Sequence, residues 1–426
     1  MKHLLISMLI LSAFSTARAE LHYGQAPTTV TEEDADAAWE NFKEIGLTPE
    51  YTQQPDRMLR ALMPLGYGLS TAGEFQAWAL ILAVMHDEPE TAQKLWNFSK
   101  QYIPEQRRGL VPWLIKQDPN KFAPSNVADA DYDYAIALDM AARKWPDFRF
   151  TGDDSEKMGE LANLSWGEWA EYYIDRIYDT MRAKNTNPES PNAITGKGYD
   201  TSRKAYAGGR DEHYYLHYSP YGYFKNWTDR TGEPNWLEPV GELESVYEAE
   251  IALQRPTLQK YYGVAEVDLY CWPPHQVRKD GMLADDLINK YDSGATNFNW
   301  GAGRITARAN HAYTNYGDAH AEKMMRFIAD RFWEETGGDP AKIRKGYRVN
   351  TVDGKAKGCG GWGDPDILHV GHAALASMVD EQYADMRDRM ALALAEADTS
   401  DDPSRALGQA YYLLHMTGGM DFRIEQ

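Results

Sequence analysis

The chain has 426 residues, with 44 Lys and Arg against 64 Asp and Glu, a formal net charge of −20 and two cysteines. Charge of that sign and size repels nucleic acid and anionic membrane surfaces, which excludes both as expected partners. It suits a neutral or cationic partner, or simply a highly soluble surface.

The first nineteen residues run from Lys2-His3 through an apolar stretch, Leu4 to Phe14, to Ala17-Arg18-Ala19, the pattern of a secretory signal peptide. Removing Lys2 and Arg18 with it takes the charge from −20 to −22. No later stretch approaches the roughly 18 to 20 apolar residues of a membrane span. The mature chain from Glu20 is therefore expected to be exported, periplasmic or secreted, without membrane insertion. Composition offers no linker, so residues 20–426 read as one domain and the protein as a monomer. Cys271 and Cys359 lie in an export context in which a disulfide persists, and pairing or two buried thiols both fit.

Apolar residues at three- and four-residue spacing predict helices over Ala37–Ile45, Phe75–Met85, Glu90–Tyr102, Tyr134–Trp145, Trp166–Met181, Glu242–Gln254, Ala319–Glu335, Ala373–Met390 and Arg405–Met416. No convincing alternating strand is seen. Some of these segments are amphipathic, whereas Phe75–Met85 and Tyr134–Ala142 are apolar nearly all round, as a helix buried on every side should be. Inner and outer helices in alternation make an all-α fold, an α/α barrel. Aromatics crowd into loop-like text at 211–227, 269–275 and 297–304, where flat faces with polar edges suit sugar rings.

The stretch STAGEFQAWALILAVMH, residues 70–86, puts Glu74 at the head of an apolar run. Thr71 and Glu74 fit a capping box, the structural reading of that acid. The chemical reading needs a proton held near neutrality, by burial or a neighbouring negative charge. NVADADYDYAIALDMAARKW, residues 126–145, supplies such neighbours in Asp129, Asp131 and Asp133. A calcium loop is excluded there, since it would require Gly at Tyr134 and an acid at Met140. Acids heading two buried helices call for a purpose, because burying a carboxylate is costly.

On these residues the chain resembles glycoside hydrolase family 8, whose members include endoglucanases, chitosanases and xylanases. Gly73 to Leu80 is similar to the family's Ser-Glu-Gly-Gln-Gly-Tyr-type segment, and the run from Val127 to Trp145 to its Asp-Ala-Asp signature. Trp113 stands where the family has a sugar-stacking Trp, and Tyr411-Tyr412 resembles its C-terminal Tyr-Tyr helix. The resemblance implies six inner and six outer helices around an inverting carboxyl pair acting on a β-1,4-linked glycan. It makes Glu74 the general acid and Asp129 the group that binds and distorts the sugar at the cleavage point. Asp131, Tyr221, Trp300, Arg304, Tyr411 and Tyr412 join Trp113 as candidate substrate-binding residues. The family's Tyr-Asp-Ala-Ile-Arg segment has its counterpart in Trp300 to Arg304, where Gly301 replaces the Asp that serves as base. Asp292 is the first substitute, with Asp285 and Asp286 behind it. Gly73, Phe75, Ala128 and Tyr134 also depart from the family's pattern, which marks a divergent member.

Three readings follow. The first is a hydrolase of a β-1,4-linked polysaccharide of the cellulose or β-glucan type, or of chitosan, with its second carboxylate about 6.5–9.5 Å from Glu74. The second is a catalytically impaired carbohydrate-binding protein on the same barrel. The third is a polysaccharide lyase with a Tyr or His base drawn from DEHYYLHY or RANHAY. The eleven His are scattered and no phosphate loop is seen, so neither metal nor cofactor is expected.

Overall fold

The outer helices are one-sided because their sequences are. In the computed structural model the helix α1, Glu32–Gly46, opens on a capping box in which the Thr31 N–H donates to the Asp34 carboxylate at 2.7 Å. It buries Ala35, Ala38, Trp39 and Phe42 along a single stripe. By contrast α2, Gly73–Met85, is buried at every position from Phe75 to Val84, and α4, Ala128–Lys144, from Ala128 to Ala141. The structure describes residues 21–63, 69–105, 109–123, 126–150, 158–183, 213–214, 221–231, 236, 272–273, 277–278, 297–348, 360–421 and 423.

The remaining helices are α3 Pro89–Lys100, α5 Trp166–Ala183, α6 Tyr221–Thr231, α7 Ile305–Tyr316, α8 Ala319–Thr336, α9 Ile367–Ser377, α10 Ala384–Ala395 and α11 Pro403–Met416. Six of the described helices form a closed inner ring in the order α2, α4, α6, α7, α9, α11 and back to α2. The α4–α6 contact is made by Tyr132 edge-on to Phe224, with ring centroids 5.3 Å apart, and by Asn226 Nδ2 donating to Asp139 at 3.1 Å. Outside the ring, α3 backs α2, α5 backs α4, α8 backs α7, α10 backs α9, and α1 closes the circle against α11. This is the α/α barrel expected from the sequence, with five outer helices among the described residues. The expected helix Glu242–Gln254, both cysteines and the leader lie outside the described residues.

Three expectations are corrected. Ala373–Met390 is not one helix. The chain leaves α9 at Met378, Asp380 accepts the Gln382 N–H at 2.9 Å to start a 3₁₀ turn, and α10 begins at Ala384 as the outer partner of inner α9. Strands exist as short antiparallel pairs: β1 Leu47–Thr48 with β2 Arg60–Ala61, β3 Thr71–Ala72 with β4 Leu114–Ile115, and β5 His213–Tyr214 with β6 Val277–Arg278. A three-stranded sheet runs β7 Asn297–Asn299, β8 Gly346–Arg348, β9 Gly361–Trp362. Finally, the loop-like text at 221–227 and 297–304 is ordered as α6, as β7 and as a helical turn, Trp300–Gly303, that runs into α7.

Two of the strands end directly at inner-helix N-termini, β3 at α2 and β7 at the Trp300–Gly303 turn. At Gly73 the Cβ of any other residue would meet the Pro112 carbonyl oxygen at 3.1 Å and the Ala130 Cβ at 3.3 Å. That close approach of the Pro112 backbone and α4 accounts for Gly at this position.

Candidate active site

The capping-box reading of Glu74 fails. Thr71 belongs to β3, buried, and its Oγ1 accepts from Arg60 Nε at 2.9 Å. The helix begins two residues later, with Ala72 as a cap that offers no side-chain bond. Glu74 instead reaches across the barrel to Arg304 Nη1, the same nitrogen that donates to Asp129 Oδ2 at 2.7 Å. One guanidinium thus serves two carboxylates from α2 and α4. It is held in turn by Nε donating to the Gly301 carbonyl at 3.2 Å and by lying 4.9 Å over the Trp300 ring. The Glu74 side chain is 12% exposed and that of Asp129 2%.

Three groups with two negative charges and one positive make a buried excess of one negative charge, and a proton on either acid removes it. The proton settles on Glu74, whose carboxyl is pushed up to about 7. Burial is the main cause; Arg304 opposes it, and the charges of Asp129 and Asp133 add to it. The positive end of the α2 dipole favours the carboxylate, but loss of water outweighs it here.

One helical turn deeper lies a second tier built on the same spacing. Asp133 is four residues after Asp129, Arg308 four after Arg304 and Trp78 four after Glu74, so each pair lies on one helix face. Arg308 holds Asp133 through both guanidinium nitrogens, Nη2 at 2.8 Å from Oδ2. Trp78 Nε1 donates to the same carboxylate at 3.0 Å, and the Tyr223 hydroxyl donates to it at 3.2 Å. Tyr411 stacks on Trp78, with centroids 4.3 Å apart and planes 1° from parallel, and hydrogen-bonds Tyr223. Arg308, Tyr223, Trp78 and the link from Asp133 to Arg308 are absent from the sequence-derived site. The repeated spacing of four, in Asp129/Asp133 and Arg304/Arg308, is the signal that could have found them.

The other predicted site residues divide. Asp131 is buried and turned away from Arg304, taking bonds from Asn126 and from the Tyr173 hydroxyl at 3.0 Å. Trp113 is half-buried just before β4, its carbonyl accepting the Gly73 N–H at 2.8 Å. Tyr411 and Tyr412 are buried inside the ring. Tyr223, Trp227 and Trp272 are likewise core, so these aromatics of the supposed loops fill helix interfaces. Tyr221 is the first residue of α6, and its side chain is not described. Asp292, Asp285 and Asp286 lie outside the described residues. Gly301 sits in the helical turn and contributes only its carbonyl.

Among the described residues no group of three His, Cys, Asp or Glu side chains could hold a metal ion. His311, His372 and His415 are buried in the barrel, and burial drives all three below the ordinary imidazole range, His415 to about 3.

Residues 5–165 match the family model described as glycosyl hydrolases family 8. A comparison with curated proteins gives no match. Solved structures share the fold over nearly the whole chain. The apo β-1,3-1,4-glucanase from Paenibacillus sp. X4 superposes with a TM-score of 0.70 at 14% identity, covering 93% of this chain and 96% of that one. A cold-adapted family 8 xylanase gives 0.68 at 12% identity, with 93% of each chain covered. Rex8A from Paenibacillus barcinonensis, complexed with xylose, gives 0.64 at 15% identity, covering 96% of this chain and all of the other.

Proposed function

We propose that this chain, a divergent member of glycosyl hydrolases family 8, cleaves a β-1,4-linked polysaccharide by an inverting acid/base mechanism. The observation that carries the reading is Glu74 buried beside Asp129, with Arg304 shared between them, where burial outweighs the opposing Arg304 and leaves Glu74 protonated to about pH 7. A protonated carboxyl can give its proton to the leaving glycosidic oxygen while a second carboxylate activates water on the opposite face of the sugar. Asp129 takes the sugar at the cleavage point. The base is assigned to Asp292, since Gly301 has no side chain to offer.

For the substrate, the glucanase and xylanase names of the structural neighbours favour a mixed-linkage glucan or a xylan. The net charge of −20 leaves chitosan as the cationic alternative. The second reading, a binding protein that has lost its base, is favoured by Gly301 alone. The lyase reading loses one of its candidate bases, His311 of RANHAY, which is buried and held neutral. Export of the mature chain from Glu20 belongs to the same proposal.

The test is to incubate the mature protein and its Glu74→Gln variant with mixed-linkage glucan, xylan, a soluble cellulose derivative and chitosan, scoring new reducing ends. Cleavage of one polymer, lost in the variant, is the expected result. Binding of a polymer without cleavage would transfer the assignment to the second reading, and ultraviolet-absorbing unsaturated products would transfer it to the third.

A further inference from the structure

The β7–β8–β9 sheet has two unlike faces. Phe298 and Tyr347 stand opposite each other in the register, and both are buried against Trp272 and Phe332. The next row is Asn299, Gly346 and Trp362, and because side chains alternate along a strand this row belongs to the other face. A face turned from the core would ordinarily carry polar residues. Here it carries Trp362, 39% exposed.

The ring is laid down on Gly346. A Cβ at that position would come within 2.5 Å of the indole Cζ2 and 2.7 Å of Cε2, so any side chain there would lift the ring off the sheet. At the far end of the same row the Asn299 side chain accepts the Ala302 N–H at 3.1 Å and caps the turn that delivers Arg304 to Glu74. With strands about 4.8 Å apart, Trp362 stands roughly 10 Å across the sheet from Asn299. A single exposed Trp is unremarkable. A flat one, seated on a missing side chain and in the same row as Asn299, which caps the turn that carries Arg304, is a prepared surface on the sheet that leads to the acid site. Arg348, two residues along β8 from Gly346, shares the face and is exposed.

We propose that Trp362 is a stacking platform for a pyranose unit of the glycan that lies beyond the sugars at the scissile bond, with Arg348 donating to that unit's hydroxyls. The inference rests on the glycan-cleaving reading given above. It assigns to the sheet a role in gripping long chains and none in the chemistry.

The experiment is a length series of oligosaccharides from the polymer the wild type cleaves, assayed with wild type, Trp362→Ala, Trp362→Phe and Gly346→Ala. Trp362→Ala is expected to raise KM five- to tenfold, the size of about one aromatic contact, for the polymer and the longest oligosaccharides. It should leave kcat within about twofold, and leave the shortest cleaved oligosaccharide untouched. Gly346→Ala should reproduce the effect with Trp362 still present, and Trp362→Phe should recover part of it. An equal change at every length, or no change at any, would overturn the proposal. Calorimetric binding of the same series is read in parallel. If the wild type cleaves nothing but binds, the hydrolase reading fails, while a weakening in Trp362→Ala confined to long chains still supports the platform. No binding by the wild type overturns both.

Discussion

The two tiers of the barrel centre are built from the same parts and behave differently. In the deeper tier one carboxylate, Asp133, meets one guanidinium, Arg308, and its oxygens are further filled by Trp78 and Tyr223. In the upper tier one guanidinium, Arg304, meets two carboxylates, and one of them retains an opening to solvent. The difference lies in a single charge. A balanced and saturated pair is a structural joint, whereas an unbalanced one must hold a proton that it can give up.

The comparison can be broken most forcefully at Glu74. Glu74→Gln keeps the shape and removes the proton donor, and kcat on the cleaved polymer should fall about 10²- to 10⁴-fold with the fold intact by circular dichroism. A fall of less than tenfold would return Glu74 to a structural role. In the deeper tier the large effect should be on stability instead. Asp133→Asn leaves Arg308 buried beside a neutral partner, and urea unfolding should show a loss of about 3–5 kcal/mol. Trp78→Phe removes one donor to a charged acceptor and should cost about 1.5–3 kcal/mol by the same measurement. If either substitution spared stability and abolished activity, the tiers would not be distinct in kind.

The smallest effects sharpen the upper tier. Activity should fall as pH rises through about 7, when Glu74 loses its proton. Arg304 lowers that value, so Arg304→Met should move the basic limb of the pH–rate profile upward, against a falling overall rate. Stability follows from the same shift. The folded chain keeps a proton on Glu74 between the ordinary value of 4.5 and about 7, so its contribution to stability is full below 4.5 and declines as pH rises to 7. Glu74→Gln should therefore be the more stable protein at pH 8 and show no advantage at pH 4. Equal differences at both pH values would contradict the raised carboxyl.

Much of this was legible in the chain. The all-round apolar runs after Glu74 and through Tyr134 marked the inner helices, since only a helix buried on every side keeps that pattern, and acids at their heads marked the reactive end. What the sequence concealed depends on contacts between distant residues. Asp133 and Arg308 are 175 positions apart, and nothing local to either says that the other neutralises it. Tyr411 and Tyr412 resemble a sugar-binding pair in sequence, and only the ring closure of α11 on α2 shows that both are buried. The break at Met378 was missed because α9 and α10 are both helical in composition, and only the Asp380 turn and the change from full to one-sided burial separate them. The capping box was misread because Thr71 fits that motif as well as it fits a strand, and the choice is made by Arg60 from eleven residues upstream.

The claim that burial beside Asp129, against the pull of the shared guanidinium, keeps Glu74 protonated near neutrality is tested most directly by titrating that carboxyl. Infrared difference spectra of the wild type against Glu74→Gln, recorded from pH 4 to 9, isolate the carboxylic acid carbonyl band of this one side chain. The account predicts a band present at pH 6 that vanishes through a midpoint near 7. A midpoint near the ordinary 4.5 would contradict it, and would leave the two tiers alike.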